Sequence, residues 1–474
     1  MRTRMLVLTR LSILASSLIT LTAVAAAGPQ GDQPLSGEGI LELVPGASIQ
    51  AVAARYGFVV RDSIASRGIH LVSLELQMTP DAFEILFATD ADIDHSELNY
   101  LSGDPGSGTQ SIFLMTPPEQ FQQQPVRQAM GVEAAQATVT GAGVTIAVID
   151  SGVDPTHPNL EGSISPLAIS FLNDPAINDP AAFADVCNGI DDDGDGLIDE
   201  MVGHGTAVAS LALMVAPDAT ILPIRIVNDE GHTTAFRVAK AIYYAIDNNA
   251  DVINLSLSTR ADLRILDRAV DDAAAQGIIL VAAAGNNSSD IPEYPAAMRK
   301  VAGVVAVDES GSLAGFSNYG VDYFISVPGT SLTGAIPAML CGPALPPSSF
   351  GEADGTSLAA PLVAGTAALL IQKGTIRRWD DFRWILRKTA RDISGANPGF
   401  EDVIGVGMLD IAAAVASPGP CHADLNDDGI LDFGDIGVFV GLFLTGDIAA
   451  DLNADGILDN SDIGSFIAAF LTGC

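Results

Sequence analysis

Val144-Thr-Ile-Ala-Val-Ile-Asp150 is a nearly continuous apolar run that ends in a carboxylate. Val252-Ile-Asn-Leu-Ser256 and Ile278-Ile-Leu-Val-Ala282 repeat the pattern, and helical stretches such as 263–276 separate such runs. Apolar runs that alternate with helices are typical of a parallel sheet buried on both faces. Residues 126–416 are therefore predicted to form an α/β domain with a mostly parallel sheet flanked by helices.

The composition indicates globular domains with large cores, since 48% of the 474 residues are hydrophobic and only 17% are charged. The 58 acidic residues outnumber the 22 basic ones and give a net charge of −36. This charge argues against nucleic acid and anionic membranes as partners, because phosphate binding needs clustered lysine and arginine. It favours solubility and cation binding.

The N-terminus has the order of a secretory signal peptide over residues 1–27. Arg2 and Arg4 precede an apolar run from Leu11 to Val24, and three alanines follow. The run is short for a membrane span, and no later stretch offers about 18 uninterrupted apolar residues. We expect an exported, secreted protein without a membrane span in the mature chain.

The pattern of apolar and polar residues predicts a small α+β unit over residues 28–103. The predicted strands and helices are Gly39–Val44, Ser48–Tyr56 with Ser48 as its N-cap, Ile69–Leu76 and Thr79–Ala88. Residues 104–125 are rich in Gly, Ser, Pro and Gln and are predicted to be a linker.

The segment 421–474 follows a short break at 417–420 and contains an internal repeat with a period of 27 residues. Each copy places oxygen-bearing residues at positions 1, 3, 5, 7, 9 and 12 of a loop, with glycine at position 6. The first set is Asp424, Asn426, Asp428, Ile430 through its carbonyl, Asp432 and Asp435; the second is Asp451, Asn453, Asp455, Ile457, Asp459 and Asp462. The spacing predicts structural calcium, and the duplication argues against acidic loops without a metal.

A third acidic stretch occupies residues 188–200. Its candidate ligands are Asp191, Asp193, Asp195, Asp199 and Glu200. Position 12 is Val202, so a calcium cage and a solvated acidic loop both stay open. The four cysteines permit disulfides in an exported chain; Cys421 and Cys474 bracket the last segment, whereas a pairing of Cys187 with Cys341 is less determined.

Three segments place reactive side chains where enzymes use them. Asp150 ends a strand, which is where open α/β sheets form their active sites. His204 stands between two glycines at the start of a helical stretch. Ser357, in Gly355-Thr-Ser-Leu-Ala-Ala-Pro361, opens a helix whose N-terminus carries positive partial charge. Each of these three residues is weak evidence for catalysis when taken alone. An aspartate or a histidine in such a position is commonly structural, and a serine at the start of a helix is commonly its N-cap.

Together with Ala282-Ala-Ala-Gly-Asn286, these segments resemble the subtilisin-like serine protease family in sequence and order. The resemblance implies a subtilisin-like fold, and it implies Asp150, His204 and Ser357 as a catalytic triad. Asn286 and the Ser357 backbone N–H would then bind the oxyanion. The implied activity is hydrolysis of protein or peptide substrates through an acyl-enzyme, with no organic cofactor. The substrate-binding residues that it implies are Ser256, Leu257, Ser258, Ala284 and Gly285.

The chain departs from the family's usual pattern at several positions. Ala207, Leu358 and Leu362 replace a His, a Met and a His, and Ser258-Thr259 replaces Gly-Gly. The last change adds side chains where the substrate residue before the scissile bond, P1, should pack. The sequence therefore predicts a narrow P1 pocket and small P1 residues.

Both flanking units have family resemblances. Residues 28–103 resemble a subtilase propeptide at Val44-Pro-Gly46, Ala53–Gly57 and Glu97–Tyr100, which implies a zymogen; an unrelated accessory domain is the alternative. Residues 421–474 resemble a dockerin, a small all-α EF-hand-like module, which implies a cohesin-like partner and cell-surface association.

The sequence also permits two alternatives for the whole chain. One is a catalytically silent subtilase-fold binding protein, and the other is a structural calcium-binding surface protein. The presence of Asp150, His204, Ser357 and Asn286 together argues against both.

Overall fold

The structure is a computed structural model that describes residues 34–74, 78–103, 114–172, 201–337, 346, 348–426, 431–452 and 457–472. Several sequence predictions lie outside these residues: the signal peptide, the acidic positions Asp191, Asp193, Asp195, Asp199 and Glu200, the loop positions Asp428, Ile430, Asn453 and Asp455, and Cys187, Cys341 and Cys474. The described chain forms two units. The first contains residues 34–102, 233–240 and 259–266, and the second contains the remainder.

The first unit is an antiparallel sheet with two helices. Its strands are β1 (Pro34–Leu43), β2 (Val59–Ile64), β3 (Ile69–Ser73) and β4 (Ile93–Gly103), and its helices are α1 (Ile49–Tyr56) and α2 (Pro80–Phe87). The sheet order is β2-β3-β1-β4, and β9 (His232–Thr234) lies beside β4. Ser48 and Thr79 cap the two helices through their hydroxyls, which confirms both predicted helix starts.

The second unit contains the remaining strands and helices. Its strands are β5 (Leu114–Thr116), β6 (Thr145–Asp150), β7 (Ile169–Ser170), β8 (Thr220–Arg225), β10 (Val252–Leu255), β11 (Ile279–Ala283), β12 (Val301–Val307), β13 (Ile325–Pro328), β14 (Leu332–Ala335) and β15 (Phe350–Ala353). Its helices are α3 (Pro118–Gln123), α4 (Pro125–Ala129), α5 (Val132–Gln136), α6 (His204–Val215), α9 (Thr356–Lys373), α10 (Trp379–Thr389), α11 (Ile411–Ala416), α12 (Phe433–Thr445) and α13 (Asn460–Thr472). Helices α7 (Ala235–Asp247) and α8 (Arg264–Ala275) begin in the first unit and continue in the second.

A seven-stranded sheet in the order β13-β12-β11-β10-β6-β8-β7 forms the centre of the second unit, and all its paired strands are parallel. The predicted α/β fold with a mostly parallel sheet is confirmed. The three quoted apolar runs became β6, β10 and β11, which are adjacent. Their carboxyl ends therefore meet at one edge of the sheet.

Helices α6 and α9 pack closely in the core beside this sheet. A Cβ atom at Gly365 in α9 would lie 2.8 Å from the Ala212 carbonyl oxygen and 2.7 Å from the Val215 Cβ of α6. Only glycine permits this approach. The first fifteen residues of α9 are all buried, which explains why they are small and apolar rather than amphipathic.

The predicted linker 104–125 is wrong over its described part. Residues 114–125 contain β5 and α3 and begin α4. Phe121 is 1% exposed. The Gln124 side chain donates to the Thr333 carbonyl at 3.1 Å and accepts the Thr333 N–H at 3.2 Å. The prolines start short helices here, and burial of Phe121 against distant strands orders a segment whose composition suggested a linker.

The C-terminal segment folds as two equivalent halves around α12 and α13. The rings of Phe439 and Phe466, which are 27 residues apart, stack at 4.3 Å with an interplanar angle of 6°. Ala423 and Ala450, also 27 apart, complete the same small core. Cys421 forms a disulfide, and its predicted partner lies outside the described residues. No helix in the described ranges is long and apolar enough to cross a membrane.

Candidate active site

Asp150 and His204 form a buried pair at the sheet edge. Asp150 is the last residue of β6, and His204 is the first residue of α6. The His204 Nδ1 lies 2.8 Å from the Asp150 Oδ1, and the side chains are 0% and 2% exposed for His204 and Asp150. The Ser151 N–H donates to the same carboxylate oxygen at 2.7 Å. The pairing orients the imidazole so that Nε2 points away from the carboxylate.

Gly205 makes this pairing sterically possible. A Cβ atom there would lie 2.1 Å from the Gly152 carbonyl oxygen and 3.0 Å from the Asp150 Oδ1. Any side chain at this position would push α6 away from the end of β6. The glycine next to His204 is thus required by close backbone approach.

Ser357 lies in the first turn of α9, and its main chain is anchored to the end of β10. The Ser256 hydroxyl donates to the Ser357 carbonyl at 2.7 Å, and the Asn254 Nδ2 donates to the Ser256 Oγ at 2.9 Å. Leu255 pairs with Ile149 across the sheet. Ser256 and Asp150 are therefore neighbours at the ends of adjacent strands, and Ser357 is tied to the same edge as the Asp150–His204 pair.

Asn286 follows β11, and its amide has a defined orientation. Its Oδ1 accepts hydrogen bonds from the Thr356 N–H and Oγ1, both at 2.9 Å. A backbone N–H can only donate, so Nδ2 is the outward-facing donor. A methyl group placed on Gly355 would lie 3.0 Å from the Ser357 Oγ and 3.8 Å from the Asn286 Nδ2. The hydroxyl and the amide donor therefore both lie within 4 Å of one position beside Gly355.

The sequence profile of the subtilase family matches residues 141–407, more than half of the chain. The chain belongs to the subtilase family. Among curated relatives it is similar to the thermophilic serine proteinase of Bacillus sp. strain AK1, with 35% identity over 278 residues, 56% of this chain and 61% of that protein. It is 32% identical to thermitase of Thermoactinomyces vulgaris over 276 residues, 56% of this chain and 88% of that enzyme.

Among solved structures the chain resembles fervidolysin from Fervidobacterium pennivorans, described as a keratinolytic enzyme related to subtilisin. The TM-score is 0.65 at 23% identity, covering 83% of this chain and 63% of that one. This likeness shows the subtilisin-like fold alone. The chain thus spans less than two thirds of that structure and of the Bacillus relative. The predicted serine endopeptidase is confirmed at the level of the family.

The residues predicted to bind substrate surround this subtilase site. Ser256, Leu257 and Ser258 continue from β10, and Ala284 and Gly285 continue from β11; all five residues are buried. The Ala284 carbonyl accepts from the Asn318 Nδ2 at 3.0 Å, and the Gly285 N–H donates to the Thr356 Oγ1 at 3.1 Å. The two segments lie at the ends of neighbouring strands.

Sequence reasoning missed Glu293, which lies against both of these segments. The Ser258 Oγ donates to its Oε2 at 2.5 Å, and the Asn287 Nδ2 donates to its Oε1 at 3.0 Å. A Cβ atom at Gly285 would lie 2.6 Å from the same Oε2. Ser258 is 35 residues away along the chain. In the sequence Glu293 directly precedes Tyr294-Pro295, and no local motif marks it as a site residue.

The described calcium-loop residues repeat the same hydrogen bonds in both halves of the C-terminal segment. Asp435 accepts from the Leu425 N–H at 2.9 Å and from the Asp432 N–H at 3.0 Å. Asp462 accepts from Leu452 at 3.0 Å and from Asp459 at 2.9 Å. The donated N–H of Asp432 lowers the pKa of Asp435, and the Ser461 hydroxyl and N–H lower the pKa of Asp459.

The described ligand positions are Asp424, Asn426, Asp432, Asp435, Asp451, Ile457, Asp459 and Asp462. Within the described ranges no group of three His, Cys, Asp or Glu side chains is arranged to hold a metal ion. The donor set consists of carboxylate, amide and carbonyl oxygens, which is the chemistry that calcium prefers.

Proposed function

We propose that the chain is a secreted serine endopeptidase that hydrolyses peptide bonds of proteins through an Asp150–His204–Ser357 triad. The observation that carries the proposal is the buried Asp150–His204 pair at the sheet edge to which Ser357 is anchored. Neither a silent binding protein nor a structural protein requires a buried imidazole–carboxylate pair beside an anchored serine.

In the proposed reaction the Ser357 Oγ attacks the scissile carbonyl carbon while His204 takes its proton through Nε2. Asp150 holds the imidazole and stabilises its charged form. The oxyanion of the tetrahedral intermediate binds the Asn286 Nδ2 and the Ser357 N–H. His204 then protonates the leaving amine, and water hydrolyses the acyl-enzyme by the reverse sequence.

We propose further that residues 28–103 are a propeptide that keeps the enzyme a zymogen. Support comes from contacts inside the first unit. Glu97 accepts the N–H groups of Arg264 at 3.1 Å and Ile265 at 2.9 Å, at the start of α8. The Asn99 Oδ1 accepts the Phe236 N–H at 3.2 Å, at the start of α7. These acceptors satisfy N–H groups at helix N-termini that otherwise lack partners.

For residues 421–474 we propose a dockerin-like calcium module that binds a cohesin-like partner and associates the enzyme with a cell surface. The internal twofold repetition of sequence, loop hydrogen bonds and stacked phenylalanines supports it. Calcium would be held by the loop oxygens and would balance carboxylates that otherwise repel one another. Residues 188–200 are proposed as a further calcium site.

Casein hydrolysis by the purified protein, with and without a serine-directed fluorophosphonate, tests the proposed activity. We expect hydrolysis that stops when the fluorophosphonate labels one serine. A protein that neither hydrolyses casein nor takes the label would be the silent binding protein instead.

A further inference from the structure

The further inference concerns the substrate residue P1 and rests on the proposed function. With the scissile carbonyl oxygen between the Asn286 Nδ2 and the Ser357 N–H, the P1 Cα is one bond from the carbonyl carbon. Its side chain must therefore pass close to Gly285, which precedes Asn286. The opposite wall is the segment Ser256–Ser258, because β10 and β11 are neighbouring strands.

Glu293 lies where these two walls meet. Its Oε2 takes the Ser258 hydroxyl at 2.5 Å and would be 2.6 Å from a Cβ atom on Gly285. The residue is 3% exposed. Gly285 has a φ of +107°, and the face on which its side chain would lie is occupied by the Glu293 carboxylate and by the Asn318 Nδ2, 2.3 Å from that Cβ position. A carboxylate thus forms the floor of the P1 space.

Glu293 accepts hydrogen bonds from two neutral side chains. Ser258 and Asn287 donate through a hydroxyl and a carboxamide, which stabilise a carboxylate without neutralising it. The net charge of −36 also favours the approach of cationic peptides over anionic ones.

We propose that Glu293 gives the enzyme a preference for arginine or lysine at P1. An arginine guanidinium presents donors in a planar fork that matches a carboxylate. The Ser258 hydroxyl, which the sequence alone suggested would narrow the pocket, is held against Glu293 and so points at the floor. The competing outcome is faster cleavage after small P1 residues, which the sequence alone predicts.

The test compares matched peptides that differ only at P1: arginine, citrulline, lysine, alanine and phenylalanine. Citrulline keeps the shape of arginine without its charge, so this pair isolates the electrostatic contribution without any mutation. We expect kcat/KM for arginine to exceed that for citrulline by about 10- to 100-fold, the range for a hydrogen bond between charged groups. In Glu293→Gln this ratio should fall to near one.

Glu352→Gln is the matched control, because Glu352 also accepts from a neutral side chain, the Gln120 amide at 2.9 Å, and lies outside the P1 space. Its arginine-to-citrulline ratio should equal that of the wild type. Equal rates for arginine and citrulline in the wild type, or fastest cleavage after alanine or phenylalanine, would overturn the inference while leaving the protease intact. Absence of both hydrolysis and fluorophosphonate labelling would overturn the proposed function and the inference with it.

Discussion

Thr356 determines what Asn286 presents to a substrate. Because the Thr356 N–H and hydroxyl both occupy the Asn286 Oδ1, the amide cannot rotate by half a turn without losing two hydrogen bonds. A donor that is already oriented needs no reorganisation when negative charge develops on the carbonyl oxygen. The residue next to the proposed nucleophile therefore also positions the proposed oxyanion donor.

Replacing this donor tests the assignment. Asn286→Asp keeps the shape and the acceptor for Thr356 but removes the outward N–H. We expect kcat to fall by about 10²–10³-fold with little change in KM, the usual cost of one oxyanion donor. Asn248→Asp, one residue past the end of α7, is the control and should retain wild-type kinetics. Unchanged kcat in Asn286→Asp would remove this residue from the oxyanion site.

Gly205 offers a steric test at the same scale. Gly205→Ala would place a methyl group 2.1 Å from the Gly152 carbonyl oxygen, so α6 must shift and break the Asp150–His204 contact. We expect loss of hydrolysis and a lower unfolding temperature. Gly315→Ala is the matched control, because a Cβ atom there meets nothing within 4 Å. Activity assays and calorimetry check both, and a fully active Gly205→Ala would contradict the packing argument.

The sequence predicted Asp150, His204, Ser357 and Asn286 because each lies in a short local motif. Glu293 escaped prediction because its partner Ser258, 35 residues earlier, is brought to it only by the tertiary fold. A contact that depends on tertiary structure leaves no local pattern.

At the scale of elements, the central strands could be predicted from the sequence, whereas the structure of segment 114–125 could not. β6, β10 and β11 are buried on both faces and read as continuous apolar runs, so they were predictable. β5 pairs with β15, more than 230 residues later, and the single buried Phe121 of α3 carries little pattern. The sequence of this segment therefore shows mainly its Pro and Gln composition, which is typical of a linker.

The paired loops of the C-terminal module give an element-scale prediction. Loops rich in carboxylates repel themselves, and a cation that binds only the folded form stabilises it by mass action. We expect EGTA to lower the unfolding temperature of the module in the full chain, and calcium to restore it. Asp424→Ala combined with Asp451→Ala should abolish this calcium response in calorimetry.

Asp308→Ala is the control for the loop variants, since Asp308 also accepts N–H groups in a tight turn, those of Ser310 at 2.8 Å and Ser312 at 3.0 Å. It lies outside the repeat, so the calcium response should persist in this variant. Identical melting curves in EGTA and in excess calcium for the wild type would refute calcium binding by the module.

At the scale of the whole molecule, pH should act on the N-terminal unit through His70. This side chain is buried, with its Nδ1 2.8 Å from the Ser63 Oγ, and burial lowers its pKa. The unfolded chain, with an ordinary histidine pKa of about 6.5, then binds the proton more readily. Stability is full above about pH 6.5 and is lost as pH falls towards the lower folded-state pKa.

We therefore expect acidification from pH 7.5 to 5.5 to destabilise the first unit, and His70→Asn to reduce that pH dependence. Both proteins should carry Ser357→Ala so that proteolysis does not interfere. Urea unfolding at each pH measures the effect. The same slope in both proteins would show that other groups control the response.

The last prediction links the site to the two-unit organisation. If residues 28–103 are a propeptide that Ser357 cuts away, then Ser357→Ala should accumulate with the N-terminal unit covalently attached, and it should not hydrolyse casein. The contacts of Glu97 and Asn99 with N–H groups at the starts of α8 and α7 would keep the cleaved segment 28–103 bound until it is degraded. Intact mass distinguishes the two forms, with a cut expected between residues 99 and 124. Adding a trace of wild-type enzyme to the variant then tells an intramolecular cut from an intermolecular one. A variant that matures alone to the wild-type mass would refute self-processing, and casein cleavage by that variant would also remove Ser357 as the nucleophile.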